Sequence, residues 1–455
     1  MSTNDFRDIL PGPDHRQSAG IAERDAYSHA DRLLQSEFGA GLVDGIDARV
    51  SKPFVGLTTD GAPIPDLYSL ADVGAPGAAM VTAASAVLRE CSDDEQAKVR
   101  HPIDAVEWRK WANPELYINR HGLRLDELAE PVRDAILGVV RASLSPRGYD
   151  KARACMLTND FLGQLVGGPR VMNEYSYNFS LFGEPSLTEP WGWQLHGHHL
   201  ALNVVLIGGQ VAISPTFMGA EPNLIDEGPH AGLTIFDGEE SGGLALMRSL
   251  PSHQRDQAQI YELMHDPAMP EGRFHFADQR HLGGAYHDNR VIPYEGVPGA
   301  EMTAAQRSAL VDLCSHFVEY LPDAALAARL SEIERHIHQT HFCWIGRYGD
   351  DDPYYFRVQS PVIMCEFDHH SGVFLTNTEP AKCHIHTIVR APNGNDYGKD
   401  LLRQHYEEVH GVAATPAHAD SSAQGHHADS SAQGHHADSS AQGHHADSSA
   451  QGHGG

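Results

Sequence analysis

Apolar residues recur three and four positions apart over Leu70–Cys91, Leu125–Leu144 and Tyr149–Val166, the spacing that lines one face of a helix. The pattern changes at Asn173. The run NEYSYNFSLFG (173–183) alternates polar and aromatic residues and predicts a strand. WGWQLHGHHLALNVVLI (191–207) reads as one strand that turns at Gly208 and Gly209 and returns as QVAISPTF (210–217) in a β-hairpin. Helical periodicity resumes over Gly238–Leu250, Ser252–Met264, Thr303–Leu321 and Asp323–Gln339. Three strand-like runs follow, HFCWIGRY (341–348), YYFRVQSPVIMCEFD (354–368) and HIHTIVR (384–390), and a helix over Asp400–His410 closes the body. Strands and helices in separate runs, without strict βαβ alternation, predict an α+β fold: a largely antiparallel sheet core, a mostly helical N-terminal third and helices packed around the sheet.

The same pattern divides the chain. Residues 1–50 form an N-terminal extension of helix and loop, and residues 51–412 one large body. That body is helical over 51–170 and sheet-rich over 171–412, where a metal site is expected. Residues 413–455 form a tail that repeats HADSSAQGH four times from His418 and owns eight of the chain's 31 histidines. Lacking any large apolar side chain, the repeat cannot offset its chain entropy and is expected to be disordered. Its paired histidines would hold transition metals only loosely.

Composition removes several functions. With 33 Lys+Arg against 61 Asp+Glu the formal net charge is −28, which disfavours nucleic acid and anionic membrane as partners. No run of 18 apolar residues and no secretory signal pattern is visible, so a soluble, cytoplasmic protein is expected. Six scattered cysteines without a CxxC pair read as free, buried thiols. HExxH and GxSxG are absent, and GNDYGK (394–399) is one residue too short for a phosphate-binding P-loop and lacks its Ser or Thr.

Two histidine constellations remain. Residues two apart on a strand share a face, so His196 and His198 point one way and His199 and Asn203 the other, while His384 and His386 share a face. Two strands presenting H-x-H to one interior supply up to four imidazoles, enough for zinc, iron, manganese or copper. The structural alternative is a set of strand histidines that only hydrogen-bond carbonyls or carboxylates. Between these strands, Glu366, Asp368 and His370 fall on one face and His369 on the other. Apolar neighbours make Glu366 the better candidate for a base beside the metal. Arg390 and Arg357 are candidate clamps for an anionic group, or equally structural partners of carboxylates. The stretch FHFADQRHLGGAYHDNRVIPYEG (274–296), with His275, His281 and His287, reads as a surface connection in preference to a substrate lid. Trp108 and Trp111 read as aromatic anchors.

These residues carry a resemblance. GWQLHGHHLALN (192–203), TFMGAEP (216–222), PYYFRVQSPVIMCEFD (353–368), HIHTIVR (384–390) and DYGKDLLRQHY (396–406) resemble the domain-of-unknown-function 3500 family over most of the body, from about Trp108 to His410. This chain departs from the family's pattern at His196, where an acidic residue is usual. The resemblance implies no established activity and directs attention to His198, His199, Glu366, His384 and His386.

The expectation is therefore a metal-dependent enzyme acting on a small molecule. Its metal would be held by His196, His198, His384 and His386, with His199, Glu366 and Arg390 in catalytic roles. With zinc the reaction is hydrolysis by activated water; with iron or copper the same ligands suit an oxidoreductase or oxygenase. The competing classes are a non-enzymatic metal-handling or ligand-binding protein and a metal-free acid/base site.

Overall fold

The computed structural model describes residues 5–411 apart from Pro13, Arg16, Gln17 and His410. The His-rich repeat expected to be disordered lies outside the described residues. Eight strands carry the architecture: β1 (Tyr177–Phe182), β2 (Trp191–Gly197), β3 (Leu200–Ile207), β4 (Gln210–Ala220), β5 (His341–Gly346), β6 (Tyr354–Gln359), β7 (Met364–His369) and β8 (Ile385–Arg390). Their order across the sheet is β1-β2-β3-β4-β8-β7-β6-β5, with every neighbouring pair antiparallel. Two four-strand meanders thus meet where β4 pairs with β8, which brings Gly219 opposite His386.

The fold is α+β, as the periodicity predicts, but the sheet is mixed. Four short strands extend it to twelve. Arg100–His101 joins β1 and Gln259–Tyr261 joins β5 in parallel, while Leu123–Arg124 and Val297–Pro298 join the same two strands antiparallel. The mostly helical N-terminal third is not found either. Helices α1 (Ala26–Leu34), α2 (Glu37–Val50), α3 (Gly77–Glu90), α4 (Asp93–Val99), α5 (Glu130–Ser143) and α6 (Pro146–Leu165) are separated by residues 51–76 and 102–129. Those segments run extended or irregular with only short 3-10 turns and one two-residue strand. Proline and glycine punctuate both segments and interrupt the helical period.

One face of the sheet is covered by helices. Trp193, Leu202, Met218, Phe356 and Phe367 pack there against side chains such as Ile136 of α5, Met156 of α6, and Leu313 of the helix Ala304–Val318. Ser145 caps α6 by accepting a hydrogen bond from Gly148 N–H, with Pro146 in the first turn, so this helix begins earlier than its apolar spacing suggests. The Trp193 indole donates to Ser143 Oγ at 2.9 Å, so the buried ring leaves no orphan donor, an omission that costs about 1–3 kcal/mol.

The opposite face is covered by irregular chain: residues 51–76, 102–129 and the long segment 262–296. Trp108 and Trp111 are fully buried in it, and Trp111 donates to Tyr397 Oη at 3.0 Å. His199 and His386 lie on this second face, whereas His369 points to the helix side, beside Glu240. All six cysteines are free and buried. Among the described residues no helix is long and apolar enough to cross a membrane.

Candidate metal centre

The run GWQLHGHHLALN does not stay in one strand. Gly197 pairs with Leu200, so His198 and His199 form a two-residue hairpin turn between β2 and β3. His199 turns the corner at φ +60°, a left-handed conformation uncommon for a side-chain-bearing residue. The turn breaks the two-residue alternation expected of a single strand, and it decides which imidazole reaches the centre.

That imidazole is His199, which meets His384 and His386. One ligand nitrogen from each lies within 4.8 Å of the others, and all three residues are buried. His384 Nε2 and His386 Nε2 approach to 3.0 Å, while His384 Nδ1 donates to the Ser371 carbonyl at 2.8 Å. A histidine whose other nitrogen donates to a backbone carbonyl is fixed in the tautomer and orientation of a metal ligand. Gly219 makes room for the rings: a Cβ there would sit 2.9 Å from His386 Cδ2 and 3.0 Å from His199 Cδ2.

A second group, His281, His370 and His386, meets the same distance condition and shares His386 with the first. His281, expected on a surface connection, is instead buried, only 2 % exposed. Glu366 produces that burial. Its carboxylate accepts from the N–H groups of Leu282 and Gly283, both at 2.8 Å, and from Tyr355 Oη at 2.6 Å, pinning the loop to β7. Both triads consist of imidazoles, a donor set able to hold a metal ion. Burial, reinforced by the neighbouring imidazoles, holds His199, His370 and His386 well below the ordinary histidine range, so these rings are neutral, the form in which an imidazole has a nitrogen free to ligate.

The other anticipated residues occupy different places. His198 stacks on His199 at 3.8 Å between ring centroids, and its Nδ1 meets Asn159 Oδ1 at 2.9 Å, so it braces His199. His196 is not brought to the cluster. It stacks on His121 at 5.0 Å beside Arg124 and Gln194. Arg390 is fully buried, bonded to Asp396 and Asp288 and to the carbonyls of Gly283 and Gly284, so it holds the same loop as Glu366. Arg357 is committed to Glu295 and the Pro293 carbonyl.

His199 and His386 open onto a cavity of about 900 Å³ walled by α1, α2, residues 112–118 and the loop around Asp278. Two carboxylate–histidine pairs line it, Glu115 with His29 at 3.1 Å and Asp278 with His287 at 3.5 Å. Arg24 and Arg49 also face it, and the Nε atom of each is buried without a hydrogen-bond partner. No motif in the sequence marks this wall, because its residues come from four separate segments of chain.

No curated protein and no solved structure matches the chain. A family model described as "Protein of unknown function (DUF3500)" matches residues 73–399, a span that includes both triads. That span covers well over half of the sequence and contains each of the stretches that carried the resemblance, up to Lys399, and the chain belongs to the DUF3500 family.

Proposed function

We propose that the protein is a metal-dependent enzyme that hydrolyses a small, oxyanion-bearing molecule. The observation that carries this reading is the convergence of His199, His384 and His386 beside a cavity large enough for a small substrate. Three neutral imidazoles leave a dication its full charge. Zinc in such a set is a strong Lewis acid and activates bound water near neutral pH.

The cavity's own residues complete the chemistry. His29 and His287, each oriented by a carboxylate, are placed to accept and return protons. Arg24 and Arg49 line the same cavity and bring it positive charge suited to a carboxylate or phosphate. They take the anion-binding role that Arg390 and Arg357, held elsewhere, do not fill. A second reading, copper- or iron-dependent redox chemistry, draws on the same donor set, because imidazole ligands without a carboxylate suit those metals too.

The test uses cobalt-substituted protein truncated before His418. Acetate and phosphate should perturb the visible spectrum of the bound Co²⁺, and the perturbation should weaken at least tenfold in Arg49→Ala. A spectrum indifferent to both anions would contradict an open coordination position facing the cavity. Esters and amides carrying a carboxylate or phosphate should be turned over by the zinc form, with activity abolished by chelation and restored by zinc.

A further inference from the structure

The two triads share His386, and a single ion in the first leaves the second without an occupant. His281 then keeps both ring nitrogens buried with no hydrogen-bond partner, and His386 Nδ1 is in the same condition. Unsatisfied buried polar atoms are costly. Here four of them, His370 Nε2 being the fourth, sit on the three residues of one cluster.

The surroundings of His281 and His370 are those of ligands. Asp368 lies in the sheet with Oδ2 at 3.1 Å from His370 Nε2, and Arg280 Nε holds the same carboxylate at 2.6 Å. At that contact His370 Nε2 makes no hydrogen bond, so the carboxylate places negative charge beside the ring and leaves its nitrogen unpartnered. Glu366 stands 3.9 Å from His281 Nδ1 and fixes the next two backbone amides, so the His281 ring is delivered to the cluster by a pinned loop. Gly283 lets that loop lie against the sheet: a Cβ there would come within 2.4 Å of Met364 Cε.

We infer that the centre is dinuclear, with a second transition-metal ion held by His281, His370 and His386, and His386 bridging the two ions. This rests on the metal-centre reading above. A bridging ring gives one nitrogen lone pair to each ion, so His386 sheds its ring proton to solvent as the second ion binds, and imidazole becomes imidazolate. No oxidant or reductant enters the step.

The test is a metal titration of apo-protein truncated before His418, which removes the tail's histidines. Cu²⁺ should bind to two equivalents per chain, and His281→Ala and His370→Ala should each bind one. A second readout does not depend on the variants folding. The ordinary Cu²⁺ electron paramagnetic resonance signal of half-loaded wild-type protein should be suppressed at full loading, because the bridge couples the two spins. Saturation at one equivalent, or two equivalents retained by His281→Ala with an uncoupled signal, would overturn the dinuclear centre and leave the single-ion enzyme standing. Failure to bind any ion would overturn both.

Discussion

The carbonyl of His199 accepts a hydrogen bond from Gly219 N–H at 2.8 Å, and the bare Cα of that glycine is what the rings of His199 and His386 pack over. The hairpin turn is thereby tied to β4 at the one residue of that strand that must lack a side chain. Gly219→Ala should weaken metal binding by about tenfold to a hundredfold, the usual effect of disturbing a ligand's support. A competition titration against a chelator measures this. An unchanged affinity would show that the rings relax freely away from a methyl group.

Legibility in the sequence varied with how local the cause is. His384 and His386 were legible because they lie at the start of a real strand, and alternation alone puts them on one face with Arg390. His199 displaced His198 and His196 as the partner because a two-residue turn without an Asn-Gly or Gly-Gly signature is invisible to a period-two reading. His281 was hidden in an irregular loop whose burial depends on Glu366, 84 residues away along the chain. The hairpin at Gly208 and Gly209 and most helices were visible, since turn glycines and apolar spacing act over a few residues.

Glu366 is a positioning residue in this account. Glu366→Gln leaves one acceptor oxygen for three donors and turns an amide N–H₂ against a backbone N–H. The mismatch should cost about 1–3 kcal/mol in urea unfolding while the ion at His199, His384 and His386 is retained. Unaltered stability together with lost turnover would instead assign Glu366 to the chemistry.

His121 and His196 provide a pH response away from the His199, His384 and His386 cluster. Burial pushes His121 down to about 4 against an ordinary value of 6.5, despite its bond to Gln194. Burial, with His121 and Arg124 adding repulsion, also lowers His196. His101, Glu107 and Lys110 are the other titratable groups felt by His121. Below pH 6.5 the unfolded chain takes up protons that the folded pair refuses. The pair's contribution to stability is therefore full above 6.5 and is lost as pH falls toward about 4. The melting temperature of the metal-free protein should decline across that window, and His121→Asn should make the decline shallower, with His199, His370 and His386, also held low by burial, supplying the rest. An equally steep decline in the variant would place the acid sensitivity elsewhere.

The most direct measurement is elemental analysis of protein truncated before His418 and expressed with supplemented zinc, copper, iron and manganese, alongside His196→Ala and His386→Ala variants checked for folding by circular dichroism. At least one transition-metal ion per chain is expected in the wild type and in His196→Ala, and a folded but metal-depleted His386→Ala. Substoichiometric traces of every transition metal in the wild type, or full occupancy in His386→Ala, would contradict the proposed metal centre.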